Sequence, residues 1–196
     1  KNLMIFLVFI GIVGGVAMKY VNAFPVLDET VKEKWAQVQN QYKRRADLIP
    51  NLVKTVQGYA SHEEGVFKEV TEARSKATQM TLDVSALDDP AKLKEFEAAQ
   101  KTLGGALSRL MAITENYPQL KADQNFLALQ SQLEGTENRI AVARKDYIAA
   151  VKDYNIALRK IPDKFIAAIF YPELKPRATF EASEAEQSAP DVSFAK

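Results

Sequence analysis

From Phe126 to Ile161 an apolar or small residue recurs at alternating spacings of three and four: Phe126, Leu129, Leu133, Thr136, Ile140, Ala143, Tyr147, Ala150, Tyr154, Ala157 and Ile161. That spacing is a heptad seam, in which one stripe of an α-helix faces a partner along its length. A stripe about five heptads long is buried by other long helices crossing at a shallow angle. A helix from Asp123 to Lys160 is nearly 57 Å long at 1.5 Å per residue, so the seam predicts an elongated rod, with this its longest helix.

The rest of the chain supplies the partners. Leu27, Val31, Trp35, Val38 and Tyr42 repeat every three or four residues among charged neighbours. Pro50 is expected to break or sharply kink this helix, with Asp47 capping the next one, because proline lacks the N–H that an interior helical position needs. A second possible turn lies at Gly58 and Ser61-His62-Glu63-Glu64, where Ser61 and Glu64 match a capping box. Either way two helices lie between Val26 and Met80. Thr81 to Asp89 reads as a loop. Asp89-Pro90 reads as a cap and first helical residue, opening a third helix that carries Leu93, Phe96, Leu103, Leu107 and Leu110 and ends by Asn116-Tyr117-Pro118. Gly104-Gly105 weakens that helix or admits a close neighbour. Beyond Pro162, Phe165, Ile166, Ile169 and Phe170 form a short apolar patch that packs on the bundle or touches lipid headgroups. Tyr171 to Lys196, with Pro172, Pro176 and Pro190, reads as an extended tail.

One stretch differs in kind. Leu3–Met18 is apolar without interruption and is bracketed by Lys1 and Lys19. Its 16 residues cover roughly 24 Å as a helix, against about 30 Å of bilayer hydrocarbon. Snorkelling lysines and the apolar residues Tyr20, Val21, Ala23 and Phe24 extend it, and a bend is expected at Asn22 and Pro25. The alternative is a secretory signal peptide with a small-residue site at Val21-Asn22-Ala23, for which the apolar core is long. The reading adopted is a retained transmembrane anchor. Gly11 and Gly15, with Gly14 beside them, form a small-residue face that suits close helix packing in lipid. Lys19, Lys32 and Lys34 after the helix favour a cytoplasmic bundle with a short exported N-terminus.

The expected fold class is therefore all-α: a transmembrane anchor (1–24), an elongated antiparallel four-helix bundle (25–162) and a C-terminal tail with a short apolar helix (163–196). Twenty-six basic and 25 acidic residues leave a net charge of +1, which as a whole-chain balance gives no reason to expect a nucleic-acid or anionic-lipid partner. With no cysteine there is no thiolate site or thiol nucleophile. His62 is the single histidine and stands outside any paired metal-binding spacing. No catalytic, metal-binding or cofactor-binding residues are expected. Two polar groups stand out: Asn40, Gln41, Arg44, Arg45, Asp47 and Asn51, and Glu134, Glu137, Asn138, Arg139 and Arg144. Of these, Arg44, Arg45, Asp47, Glu137 and Arg139 are the candidate cluster, read as inter-helix ion pairs or, alternatively, as a binding surface.

The motifs Trp35-Ala36-Gln37-Val38, Gln41-Tyr42-Lys43-Arg44-Arg45-Ala46-Asp47-Leu48-Ile49-Pro50-Asn51-Leu52-Val53 and Gly58-Tyr59-Ala60 resemble the LemA family. So do Glu115-Asn116-Tyr117-Pro118, Leu133-Glu134-Gly135-Thr136-Glu137-Asn138-Arg139-Ile140 and Lys175-Pro176-Arg177-Ala178-Thr179-Phe180-Glu181-Ala182, followed by Pro190-Asp191-Val192-Ser193-Phe194. The resemblance implies a single-pass bacterial inner-membrane protein with a helical-bundle domain, and it carries over no catalytic residues. The expected function is a non-enzymatic membrane scaffold that forms a homo-oligomer. Its partner is the lipid bilayer, and Phe180, Val192 and Phe194 reach a neighbouring subunit or seal the bundle. The alternatives are an adaptor for another membrane protein, such as a protease or quality-control factor, and a membrane-remodelling protein.

Overall fold

A computed structural model describes residues 2–180. The described residues form six α-helices and one 3-10 turn, without strands: α1 (Asn2–Gln57), α2 (Glu64–Gln79), the turn Val84–Asp88, α3 (Pro90–Thr114), α4 (Pro118–Lys121), α5 (Gln124–Ala157) and α6 (Asp163–Phe170). Trp35 meets Tyr147, Arg45 meets Glu137 and Tyr59 meets Asp123, so α1 and α5 run antiparallel along each other. Arg109 to Glu69 and Gln100 to Ala77 place α2 antiparallel to α3.

The core falls into two clusters. One gathers Val31, Trp35, Val38 and Tyr42 of α1 with Leu93 and Phe96 of α3 and Ile140, Tyr147 and Tyr154 of α5. The other joins Ile49, Leu52 and Val56 of α1 with Phe67 and Val70 of α2, Leu103, Leu107 and Leu110 of α3, and Phe126 and Leu133 of α5. The α5 seam is buried from Phe126 through Tyr154, Leu129 being half-buried. Ile161 lies beyond the end of α5 and is exposed.

The longest helix is α1, with 56 residues against 34 in α5, contrary to the expectation from the seam. It runs unbroken through both Pro25 and Pro50, so neither the bend nor the break forms. The reason is specific and tertiary. Proline deprives the carbonyl four residues earlier of its helical donor, which leaves Val21 O and Ala46 O without one. Each is supplied from another part of the chain. The Tyr171 hydroxyl donates to Val21 O at 3.2 Å, and Arg74 Nε donates to Ala46 O at 2.7 Å. The turn between the first two helices therefore falls after Gln57, and Asp47 is an exposed mid-helix residue and not a cap.

Smaller expectations divide. Asp89 caps α3 by accepting from Ala91 N at 2.9 Å, with Pro90 as the first helical residue. Asp123 caps α5 by accepting from Phe126 N at 2.9 Å. The capping box at Ser61 and Glu64 does not form: Glu63 precedes α2 without a side-chain cap, because the helix begins two residues later than that pattern requires. Gly104 and Gly105 admit no close neighbour, since a Cβ at either would meet nothing within 4 Å. The segment read as a loop, Thr81–Asp89, holds the 3-10 turn and buries Leu82 and Leu87 in the core. Leu82 O accepts from Trp35 Nε1 at 3.1 Å and from Gln39 Nε2 at 2.8 Å.

Among the described residues no helix is long and apolar enough to cross a membrane. Leu3–Met18 is simply the first part of α1, continuous with the helix that enters the core.

Candidate functional site

Three arrangements set this chain apart from a bare set of packed helices. The first is the apolar end. Leu3, Ile12 and Met18 are 72%, 61% and 63% exposed, and a Cβ at Gly11, Gly14 or Gly15 would meet nothing within 4 Å. This part of α1 is covered by no other element at those positions. At the same end α6 lies against α1. It buries Asp163 and Ala167 and leaves Phe165, Ile169 and Phe170 exposed. Tyr171, which follows α6, packs its ring, tilted by 51°, 5.8 Å from that of Phe24, a fully buried residue of α1.

The second is the tail clamp. After Tyr171 the chain turns back along α1 and α5. The Arg177 Nη2 donates to Asp28 Oδ1 at 2.9 Å, and its Nη1 donates to Asp88 Oδ1 at 2.7 Å and to Val84 O at 3.2 Å. The Arg177 backbone exchanges two hydrogen bonds with the Asn155 side chain, both 2.9 Å. Ala178 N donates to Leu87 O at 2.7 Å, and the Tyr147 hydroxyl donates to Ala178 O at 2.9 Å. Phe180 then enters the first core cluster. Its ring centroid lies 6.1 Å from Trp35 and 5.4 Å from Tyr147, and the Arg144 guanidinium sits 4.3 Å over its face. Thus Phe180 seals its own chain. Val192 and Phe194 lie outside the described residues.

The electrostatics follow from that packing. Burial pushes the Asp28 carboxyl up, and hydrogen bonds from Lys32 and Arg177 more than offset this, leaving it below its ordinary value. Burial pushes the Tyr147 phenol well up, in keeping with a permanent donor to Ala178 O.

The third is a polar layer between the two core clusters. Arg45 is buried. Its Nη2 donates to Gln100 Oε1 at 2.6 Å and to Gln100 O at 3.1 Å, and its Nη1 donates to Glu137 Oε1 at 3.1 Å. Gln100 passes the network on to Ala77 O. The fold thus brings together Arg45 and Glu137, one from each polar group of the sequence. It does not bring in the rest. Arg44 and Asp47 are exposed on α1, and Arg139, also exposed, donates to Thr136 Oγ1 at 3.1 Å. Arg144 pairs instead with Glu97 of α3 at 2.8 Å.

Sequence reasoning missed Arg74, Gln100, Tyr171 and the partners of Arg177. A usable signal existed for two of them: each helical proline implies an orphan carbonyl, and a donor must be found for it.

The chemistry available is that of surfaces and clamps. His62 is exposed on the turn before α2. A shallow groove beside it is lined by Gln57, Ser61, Glu64, Phe67, Lys68, Thr71 and Glu72. Among the described residues no group of three or more histidines or carboxylates is placed to hold a metal ion.

Comparison with known proteins bears on this arrangement. Magnetosome proteins MamQ 1 and MamQ 2 of Paramagnetospirillum magneticum are each 30% identical over 168 residues, covering 78% of this chain and 61% of their own length. Protein LemA of Metamycoplasma hominis is 25% identical over 156 residues, covering 80% of this chain and 66% of its own. The chain thus spans about three fifths of the length of the MamQ proteins it matches. The LemA family model matches residues 34–194, a span that takes in the Arg45 layer, the second helical proline and, of the tail clamp, Arg177 and Phe180 but not Asp28. The chain belongs to the LemA family.

Proposed function

We propose that this chain is a non-enzymatic helical scaffold, anchored in a bacterial inner membrane through Leu3–Met18, that assembles with copies of itself. The observation that carries the reading is the exposure of Leu3, Leu7, Ile12 and Met18 at the start of α1, with open positions at Gly11, Gly14 and Gly15 on a helix that continues into the core. Lipid is the medium that tolerates such a surface, and a small-residue face in lipid favours packing of one helix on its copy. Lys1 and Lys19 flank the segment, where long cationic side chains reach headgroups. The charge distribution after the anchor favours a cytoplasmic position for the helical domain.

The test is the mass of the full chain in mild detergent. An oligomer that dissociates on Gly11→Leu with Gly15→Leu supports the reading, and a clean monomer at micromolar concentration overturns self-association. Because the natural chain has no cysteine, single introduced cysteines on either side of Leu3–Met18 report membrane side by labelling. Labelling of both by an impermeant reagent in intact cells overturns the anchor.

A second reading is an adaptor for another membrane protein. Its motivation is the exposed pair Arg44 and Asp47, which flank the buried Arg45 without joining its network. Crosslinking from position 44 or 47 in native membranes that recovers only copies of this chain overturns it.

A further inference from the structure

We infer that α6 is an interfacial helix that docks on the headgroup layer of an anionic bilayer, beside the point where α1 enters the lipid. The inference rests on the membrane reading of Leu3–Met18.

The first argument is the orientation of α6. This eight-residue helix turns three of its four large apolar residues outward, with Ile166 half-buried and Ala168 exposed beside them. Ala167 and Asp163 are buried against the rest of the chain, while Phe165, Ile169 and Phe170 are 60%, 72% and 57% exposed. The arrangement is the reverse of what burial in a water-soluble domain favours. It is the expected one for a helix lying in the interface plane with its apolar face towards acyl chains.

The second argument is position. Tyr171, at the C-terminal end of α6, donates to Val21 O and packs on Phe24. Val21 is only about 4.5 Å along the helix axis from Met18, where the apolar run ends. The outward face of α6 is therefore held at the depth where α1 passes from apolar to charged residues. The hydrogen bond that holds it there exists because Pro25 left that carbonyl without a helical donor.

The third argument is charge. Lys19, Arg159, Lys160 and Lys164 are exposed around this end. The neighbouring carboxylates along the α6 segment are Asp163, which is buried, and Glu173, which is exposed. Cations beside an apolar face match an anionic headgroup layer over an acyl interior.

A second copy of the chain is the competing occupant. An eight-residue helix is about 12 Å long, and three outward side chains fall well short of the roughly 800 Å² per partner of a stable interface.

The experiment uses the full chain reconstituted in vesicles of phosphatidylcholine mixed with phosphatidylglycerol, with Phe165→Trp as the reporter. The natural Trp35 is 0% exposed and provides an unquenched reference. Ile169→Trp is a second reporter should the first variant fold poorly, and Leu7→Trp reports on the anchor itself. The expected result is quenching of the Trp at 165 or 169 by lipid brominated near the headgroup, more strongly than by lipid brominated at the chain end. Quenching should weaken in phosphatidylcholine alone. Emission at 165 and 169 that no brominated lipid quenches overturns the inference, and a blue-shifted but unquenched signal does so by showing cover from protein. Equal quenching without the anionic lipid overturns the charge argument. If Leu7→Trp is quenched and the α6 reporters are not, only the α6 inference fails. If Leu7→Trp is also unquenched, the anchor reading fails with it.

Discussion

The two halves of the core are closed in different ways. The half around Trp35 is aromatic, with Trp35, Phe96, Tyr147 and Phe180 in ring contact. It is closed by segments without regular helix: the 3-10 turn and the returning tail. The half around Leu103 is mainly aliphatic and is closed by α2 and α4. The Arg45–Gln100–Glu137 network separates them. A helix such as α2 satisfies its own backbone and can cover a core by apolar contact alone. An extended strap cannot, so its backbone groups are bonded one by one to Asn155, Leu87 and Tyr147. Among the described residues the tail thus joins the core on the Trp35 side of the polar layer.

Four predictions bear on that contrast. Trp35→Ala should cost about 3–5 kcal/mol, the usual loss for a buried aromatic, read from chemical denaturation. A loss below 1 kcal/mol means the aromatic half contributes little. Next, Arg177→Met leaves Asp28 and Asp88 facing each other without their shared cation, at a cost of about 3 kcal/mol. Amide exchange should accelerate in Val84–Asp88 and around Trp35, while Leu103–Leu110 stays protected. Equal acceleration in both places breaks the distinction between the halves.

The third prediction compares the two helical prolines. Arg74→Met removes a charged donor from Ala46 O in the aliphatic half and should cost about 1–3 kcal/mol; Tyr171→Phe removes a neutral donor from Val21 O and should cost about 1 kcal/mol. If Arg74→Met proves the milder of the two, the orphan carbonyls are not what these side chains serve.

The smallest effect should appear in acid. The Asp28 carboxyl lies below its ordinary value of 3.8 in the folded chain. Its contribution is therefore complete above that value and is lost as pH falls through the lower, folded one. Asp28→Asn should be less stable than the natural chain at neutral pH, with the gap closing below about pH 3.8 in a pH series of denaturant melts. A gap that stays constant in acid removes Asp28 from the clamp.

Much of this was legible in the sequence. The α5 seam, the Asp89-Pro90 start and the apolar spacing of α1 are local patterns, and each appears as an element. The tail was legible as an extended segment with Phe180 as a candidate seal, and its polar partners were not. Nothing in Lys175-Pro176-Arg177 says that Asp28 and Asp88, distant in sequence, converge on one guanidinium. Of the candidate polar cluster, Arg45 and Glu137 meet, because their positions on α1 and α5 face each other across the antiparallel pair. Arg44, Asp47 and Arg139 stand on outward faces, which a list of charged residues does not distinguish.

The sequence by itself determined that the chain is helical, where its apolar stripes lie and that one stretch is unlike the rest. Those properties depend on residue spacing and on side chains a turn apart. The continuity of α1 was decided only by the tertiary structure. Taken locally, Pro25 and Pro50 each argue for a bend or an end. The helix persists because Tyr171 and Arg74, remote in sequence, arrive at the two carbonyls that the prolines leave without donors.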